Sequence, residues 1–167
     1  RDRRCCVGAG EEGGSLTGSN PVDRGKKGSR RHVLSEARGL PPAVAVSGAN
    51  VHDSQVKPLI LGIPATRSRR GPRRRKAVKL RADKTYHSAE HLRWLRGRSL
   101  VARTARPGIE SGDRLVRSRW RIERSIARLF GYRRLTVRYE RKGSRFLAFL
   151  GLAAALTCYK RLAKLAT

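Results

Sequence analysis

The chain has 167 residues, with 40 Lys and Arg against 12 Asp and Glu and a formal net charge of +28. The length suits one domain with a real core, and the charge excludes a near-neutral soluble enzyme and points to a polyanionic partner. Aromatic residues make up only 5%, too few for a single-strand binder built on stacking platforms, so double-stranded DNA met through its phosphates is the expected partner.

Residues 1–20 are glycine-rich and lack periodicity, and read as an irregular arm. Pro21 to His32 follows as a basic loop, with Lys26, Lys27 and Arg30 available to phosphates. Between Arg31 and Ala49 two alternating runs, HVLSEA and AVAVSGA, flank the breaker RGLPP and predict an antiparallel hairpin. Asp53 stands where a helix N-cap is expected, ahead of the apolar positions Val56, Leu59, Ile60 and Ile63.

Arg67 to Lys76, RSRRGPRRRK, holds seven basic residues and no acid around Gly71 and Pro72. It reads as a loop whose charge is neutralised on a polyanion, through Arg69, Arg70, Arg73, Arg74 and Arg75. In Ala77 to Tyr86, AVKLRADKTY, Val78 and Leu80 alternate with Lys79 and Arg81, which predicts a short strand ending at Asp83. An acid at a strand's carboxyl end faces a crevice; the plainer role for Asp83 is a surface pair with Arg81 or Lys84. A helix over SAEHLRWLRGR follows, with Leu92 and Leu95 inward and Trp94 partly buried, and then a short strand at Leu100 to Arg103.

Leu115 to Phe130, LVRSRWRIERSIARLF, has helical periodicity, with Trp120, Ile122, Ile126, Leu129 and Phe130 marking its buried side. Glu123 is its only acid, among Arg117, Arg119, Arg121, Arg124 and Arg128; its plainer role is an i,i+4 pair with Arg119. Tyr132 to Lys142, YRRLTVRYERK, is basic and β-like, and places Arg133, Arg134 and Arg138 along a nucleic-acid backbone. The last segment, Ser144 to Leu165, predicts a helix packed across the sheet. Its apolar run Phe146 to Tyr159 is shorter than the roughly 20 residues of a membrane span. Cys5, Cys6 and Cys158 offer no metal-ligand spacing and no disulfide framework, which fits a reducing cytoplasm, and RDRRCCVGAG lacks the apolar core of a signal peptide.

ADKTY after a strand, RWRIERSIARL on a helix, SGANVHDS after a hairpin and the late YRRLTVRYER together resemble the DDE transposases of bacterial insertion sequences, in the insertion-sequence-five group with an insertion-sequence-four-like catalytic domain. The resemblance runs from about Gly13 to Leu165. It implies an α/β fold, an RNase-H-like mixed sheet flanked by helices, with residues 21–167 forming the partial catalytic domain. It also implies three acids holding two Mg²⁺ or Mn²⁺ ions, with Asp83 matching the second acid and Glu123 the third. Arg119 matches a family arginine, and Arg124 lies on the same DNA-facing helix. The expected activity is cleavage and transfer of DNA strands at insertion-sequence ends, in the bacterial cytoplasm on the nucleoid, by a homodimer on DNA and without a membrane role. The rival expectation is a non-catalytic basic DNA- or RNA-binding protein.

Several positions depart from the family pattern. Thr85 replaces a glycine, His87 an acid and Ser118 a frequent histidine, and Arg4 stands at the register of the first catalytic Asp, with Asp2 nearby but out of register. Codons for Glu11, Glu12 and Gly13 read one nucleotide later give basic residues of the kind the family carries there. The chain is therefore expected to be a frameshifted or truncated copy, lacking its first central strand, catalytically incomplete and weakly stable.

Overall fold

The computed structural model describes residues 7–9, 14–20, 24–51, 57–63, 66–67, 73–74, 79–82, 88–104 and 113–166. Its centre is the hairpin of β3 (Lys27–Leu34) and β4 (Ala43–Gly48), paired antiparallel from Ser29 opposite Gly48 to Leu34 opposite Ala43. The turn is fixed locally. Gly39 has φ +72°, a left-handed conformation that suits glycine, and the Glu36 carboxylate accepts from the backbone N–H groups of Arg38 at 2.7 Å and Leu40 at 3.3 Å.

Both faces of this hairpin are covered, as the alternation of its side chains requires. Val33, Val44 and Val46 face a cluster of Leu129, Leu135, Phe146, Leu150, Ala153 and Ala154, contributed by α3 (Asp113–Phe130), a 3₁₀ turn at Arg133–Leu135 and α4 (Gly143–Ala166). Leu34, Ala43 and Ala45 face the other way, onto Leu59 of the short helix α1 (Lys57–Leu61). Asp53, expected as that helix's cap, lies outside the described residues.

The stretch read as an irregular arm contributes two strands. β1 (Val7–Ala9) pairs antiparallel with Arg30 to Gly28, and β2 (Gly18–Ser19) pairs with Gly28 and Lys27 on the opposite edge of β3. β3 itself begins at Lys27, inside the stretch expected to be a loop. Gly28 and Ser29 are buried there because strands flank them on both sides. A three-residue strand thus occupies one edge of β3, while the positions of Asp2 and Arg4 lie outside the described residues.

The basic block is also less irregular than its composition suggests. Thr66–Arg67 (β5) and Arg73–Arg74 (β6) form a two-stranded antiparallel ladder, so Gly71 and Pro72 fall between paired segments rather than preventing them. β7 (Lys79–Ala82), α2 (Ala89–Arg96) and β8 (Val101–Thr104) make a parallel β-α-β unit with Lys79 opposite Val101. Ser88 caps α2 by accepting from the His91 N–H at 3.2 Å. Leu95 is buried, with Leu92 and Trp94 half-buried, as expected. The architecture is mixed α/β. Among the described residues its strands form three separate sheets, and no strand joins the free edge of β1 to β7.

Candidate functional site

α3 carries Glu123, and contacts on one side of the helix decide which way that acid faces. The Ser35 hydroxyl donates to the Arg121 carbonyl at 3.2 Å and meets the Ser125 hydroxyl at 2.7 Å, and Arg128 Nη1 donates to the Gly39 carbonyl at 2.8 Å. Ser125 is fully buried and Leu129 nearly so. With 100° between residues, Trp120, Glu123 and Arg124 are turned away from that side, and all three are exposed. Trp120 thereby departs from its expected inward position: it is 45% exposed, with the guanidinium groups of Arg121 and Arg124 at 5.5 and 5.4 Å from its ring. The Arg119 side chain lies outside the described part of the molecule.

The other candidate acid, Asp83, follows the first strand of the β-α-β unit in sequence. β7 ends at Ala82, so Asp83 is the next residue, at the carboxyl end of a strand whose parallel neighbour runs alongside. Asp83 itself lies outside the described residues. Among the described residues, no group of three His, Cys, Asp or Glu side chains stands close enough to hold a metal ion.

The basic residues assigned to DNA divide sharply. Lys26, Lys27, Arg124 and Arg133 are exposed. Arg30 is half-buried and donates from Nη1 to the Val51 carbonyl at 3.2 Å. Arg134 is at the surface but committed, with Nε at 2.9 Å from Glu140 Oε1 and its guanidinium 4.5 Å from the Phe149 ring centroid. Arg73 and Arg74 form β6, their side chains outside the described part, as are Arg69, Arg70 and Arg75 altogether.

Arg138 requires a correction. It is only 2% exposed, and its guanidinium donates to the carbonyls of Glu140 at 2.8 Å, Ser15 at 2.6 Å, Leu16 at 3.2 Å and Arg141 at 3.1 Å, and to the Ser29 hydroxyl. A phosphate has no access to it. Burial pulls its pKa below the ordinary arginine value, against the opposing pull of Glu140. Three exposed cations nearby, Arg141, Lys142 and Arg145, were not among those assigned to DNA, and the stretch expected to be β-like holds the 3₁₀ turn Arg133–Leu135 instead, with α4 beginning at Gly143 as the sequence led one to expect.

A family model described as a transposase DDE domain matches residues 7–158. The chain belongs to the DDE transposase family. It is 38% identical over 161 residues to a Burkholderia cepacia protein named as a transposase for insertion sequence element IS402, across 96% of this chain and 76% of that protein. No solved structure matches. The resemblance carried by ADKTY and RWRIERSIARL is borne out at the level of the family. This DDE transposase chain acts in DNA transposition, and family membership favours that function over a basic binding protein without chemistry.

Proposed function

We propose that this chain is the RNase-H-like catalytic portion of an insertion-sequence-five-group transposase, with Asp83 and Glu123 as ligands for Mg²⁺ or Mn²⁺ and with insertion-sequence ends and target DNA as its substrates. The observation that carries the reading is Glu123: the one acid of the arginine-rich helix Asp113–Phe130, held at the surface while the opposite side of that helix is bonded to the hairpin. Family membership supplies the context. Two carboxylates are hard oxygen donors of the type these ions prefer, and Glu123 is exposed to solvent. They provide two of the three acids that the family resemblance implies. When bound, the ions would supply a Lewis-acid clamp on a phosphodiester under in-line attack.

The chain's own residues do the binding and positioning. Lys26, Lys27, Arg124 and Arg133 meet phosphates, and Arg119, one helical turn before Glu123 in sequence, has the role of orienting that carboxylate or a phosphate in this reading. The reading places the protein in the bacterial cytoplasm on the nucleoid, with residues 21–167 as the catalytic portion and the chain alone catalytically incomplete.

Mn²⁺ titration followed by water-proton relaxation tests the site without requiring turnover. A D83N/E123Q variant is expected to bind Mn²⁺ at least about 10-fold more weakly than the parent, with its DNA affinity undiminished. Equal Mn²⁺ affinity in the two proteins would remove both residues from the site. For the DNA contacts, a K26A/K27A variant is expected to reduce the slope of log affinity against log salt by about two, read by fluorescence anisotropy on duplex DNA. An unchanged slope would take those lysines off the backbone.

A further inference from the structure

β7 and β8 form a parallel pair, and parallel strands are ordinarily covered on both faces. Here only one face is covered. Leu80, Ala82 and Ala102 alternate onto a half-buried face, and α2 packs against β8. The opposite face carries Lys79, Arg81, Val101 and Arg103, all exposed. The register sets Lys79 opposite Val101 and Arg81 directly opposite Arg103. With about 3.3 Å per residue along a strand and about 4.8 Å between strands, the three cations form one small triangle. Neither strand contains an acid.

Like charges directly opposite one another destabilise a sheet. A cation on an edge strand deters stray pairing with other chains, but that use does not call for a second cation set opposite the first. An arrangement that works against the local fold is expected where function uses it.

We infer that the Lys79–Arg81–Arg103 face of the β7–β8 pair is a phosphate-binding surface that holds the DNA backbone next to Asp83, the residue that follows β7. Charge complementarity selects the occupant. A second copy of this chain, at +28, would bring further cations to a face that already holds three. A phosphodiester instead accepts paired N–H donors from each guanidinium and a point charge from the lysine, and every such contact releases counterions from the DNA. In KLRA and VART the cations alternate with uncharged residues, and only the strand register brings the three together. The placement beside the chemistry rests on the reading of Asp83 as a metal ligand; the phosphate contact does not.

Fluorescence anisotropy of the full chain on duplex DNA, across a salt series, tests the contact. K79Q/R103Q is expected to lower the slope of log affinity against log salt by about two. Its circular dichroism spectrum should be unchanged, its urea midpoint at or above the parent's because repulsion is relieved, and its Mn²⁺ affinity no weaker than the parent's. R93Q/R96Q removes the same charge from exposed positions of α2 and is expected to keep the parent slope. V101E and V101K lose the same side chain and add opposite charges at a position 47% exposed and opposite Lys79; V101E is expected to bind DNA at least about 10-fold more weakly than V101K. An unchanged slope in K79Q/R103Q, an equal drop in R93Q/R96Q, or equal DNA affinity of V101E and V101K would each overturn the proposal. Equal Mn²⁺ affinity in D83N/E123Q and the parent would instead withdraw the metal reading, and with it only the placement beside the chemistry.

Discussion

Replacing Arg138 by alanine is expected to lower the free energy of unfolding by about 3–5 kcal/mol, read from urea melts followed by circular dichroism. The size follows from what the side chain closes. Its guanidinium joins the segment at Ser15 and Leu16, the Ser29 hydroxyl of β3, and the Glu140–Arg141 segment before α4, in one planar set of donors. Phe146 lies beneath it, 5.6 Å from the guanidinium carbon to the ring centroid. Removing it takes the donor from four part-buried carbonyls and the buried Ser29 hydroxyl, opens a cavity beside the core and unties a contact spanning 122 residues of chain. Arg138→Lys keeps the charge but replaces the planar fork with one compact ammonium, so it is expected to recover less than half of the loss. A loss of 3–5 kcal/mol is a large part of the roughly 5–15 kcal/mol available to a typical domain. Reduced DNA affinity or a shallower salt slope with unchanged unfolding would return Arg138 to the role its sequence context suggested.

The contrast between Arg138 and the hairpin shows what a linear sequence discloses. The alternation in HVLSEA and AVAVSGA is a local consequence of one sheet face meeting α4 and the other meeting α1, so the hairpin was readable. The start of β3 was not, because Lys27–Gly28–Ser29–Arg30 looks like a solvated loop until β1 and β2 close on its two edges. In YRRLTVRYERK the arginines at 133, 134 and 138 are chemically alike. Position 133 reaches solvent, 134 is held by Glu140 and Phe149, and 138 is buried against a segment more than a hundred residues away. Local composition cannot separate them, since the difference is made by tertiary partners.

The same reasoning applies to the site. The 3.6-residue period of α3 made a helix carrying Glu123 predictable, and the short alternation before Asp83 made β7 predictable. The outward turn of Trp120 was not, because Trp suits a core as well as a surface lined with guanidinium groups.

Phe146→Ala is expected to cost about 3–5 kcal/mol, and its consequences should reach Glu123. Phe146 is completely buried, and its cluster joins Leu129 of α3, Leu135 of the intervening turn and Leu150 of α4 to the valines of the hairpin. Two buried cations also use its ring: Arg31 at 5.5 Å and Arg138 at 5.6 Å. The substitution therefore removes apolar burial and the aromatic face that helps hold two guanidinium groups away from water. Those cations cannot shed their charge, so relief must come from opening the structure between α4 and the hairpin. α3 is bonded to the hairpin at Ser35 and Gly39 but packs onto this cluster through Leu129. Loss of the cluster should leave the helix tethered at one side and free to tilt, displacing Glu123. The expected result is an urea midpoint shift accompanied by weaker Mn²⁺ binding under conditions where the variant is still folded. Trp120→Ala, on the exposed side of the same helix, should change stability by less than about 1 kcal/mol. Mn²⁺ affinity that survives Phe146→Ala intact in the folded fraction would mean that the hairpin bonds alone position α3.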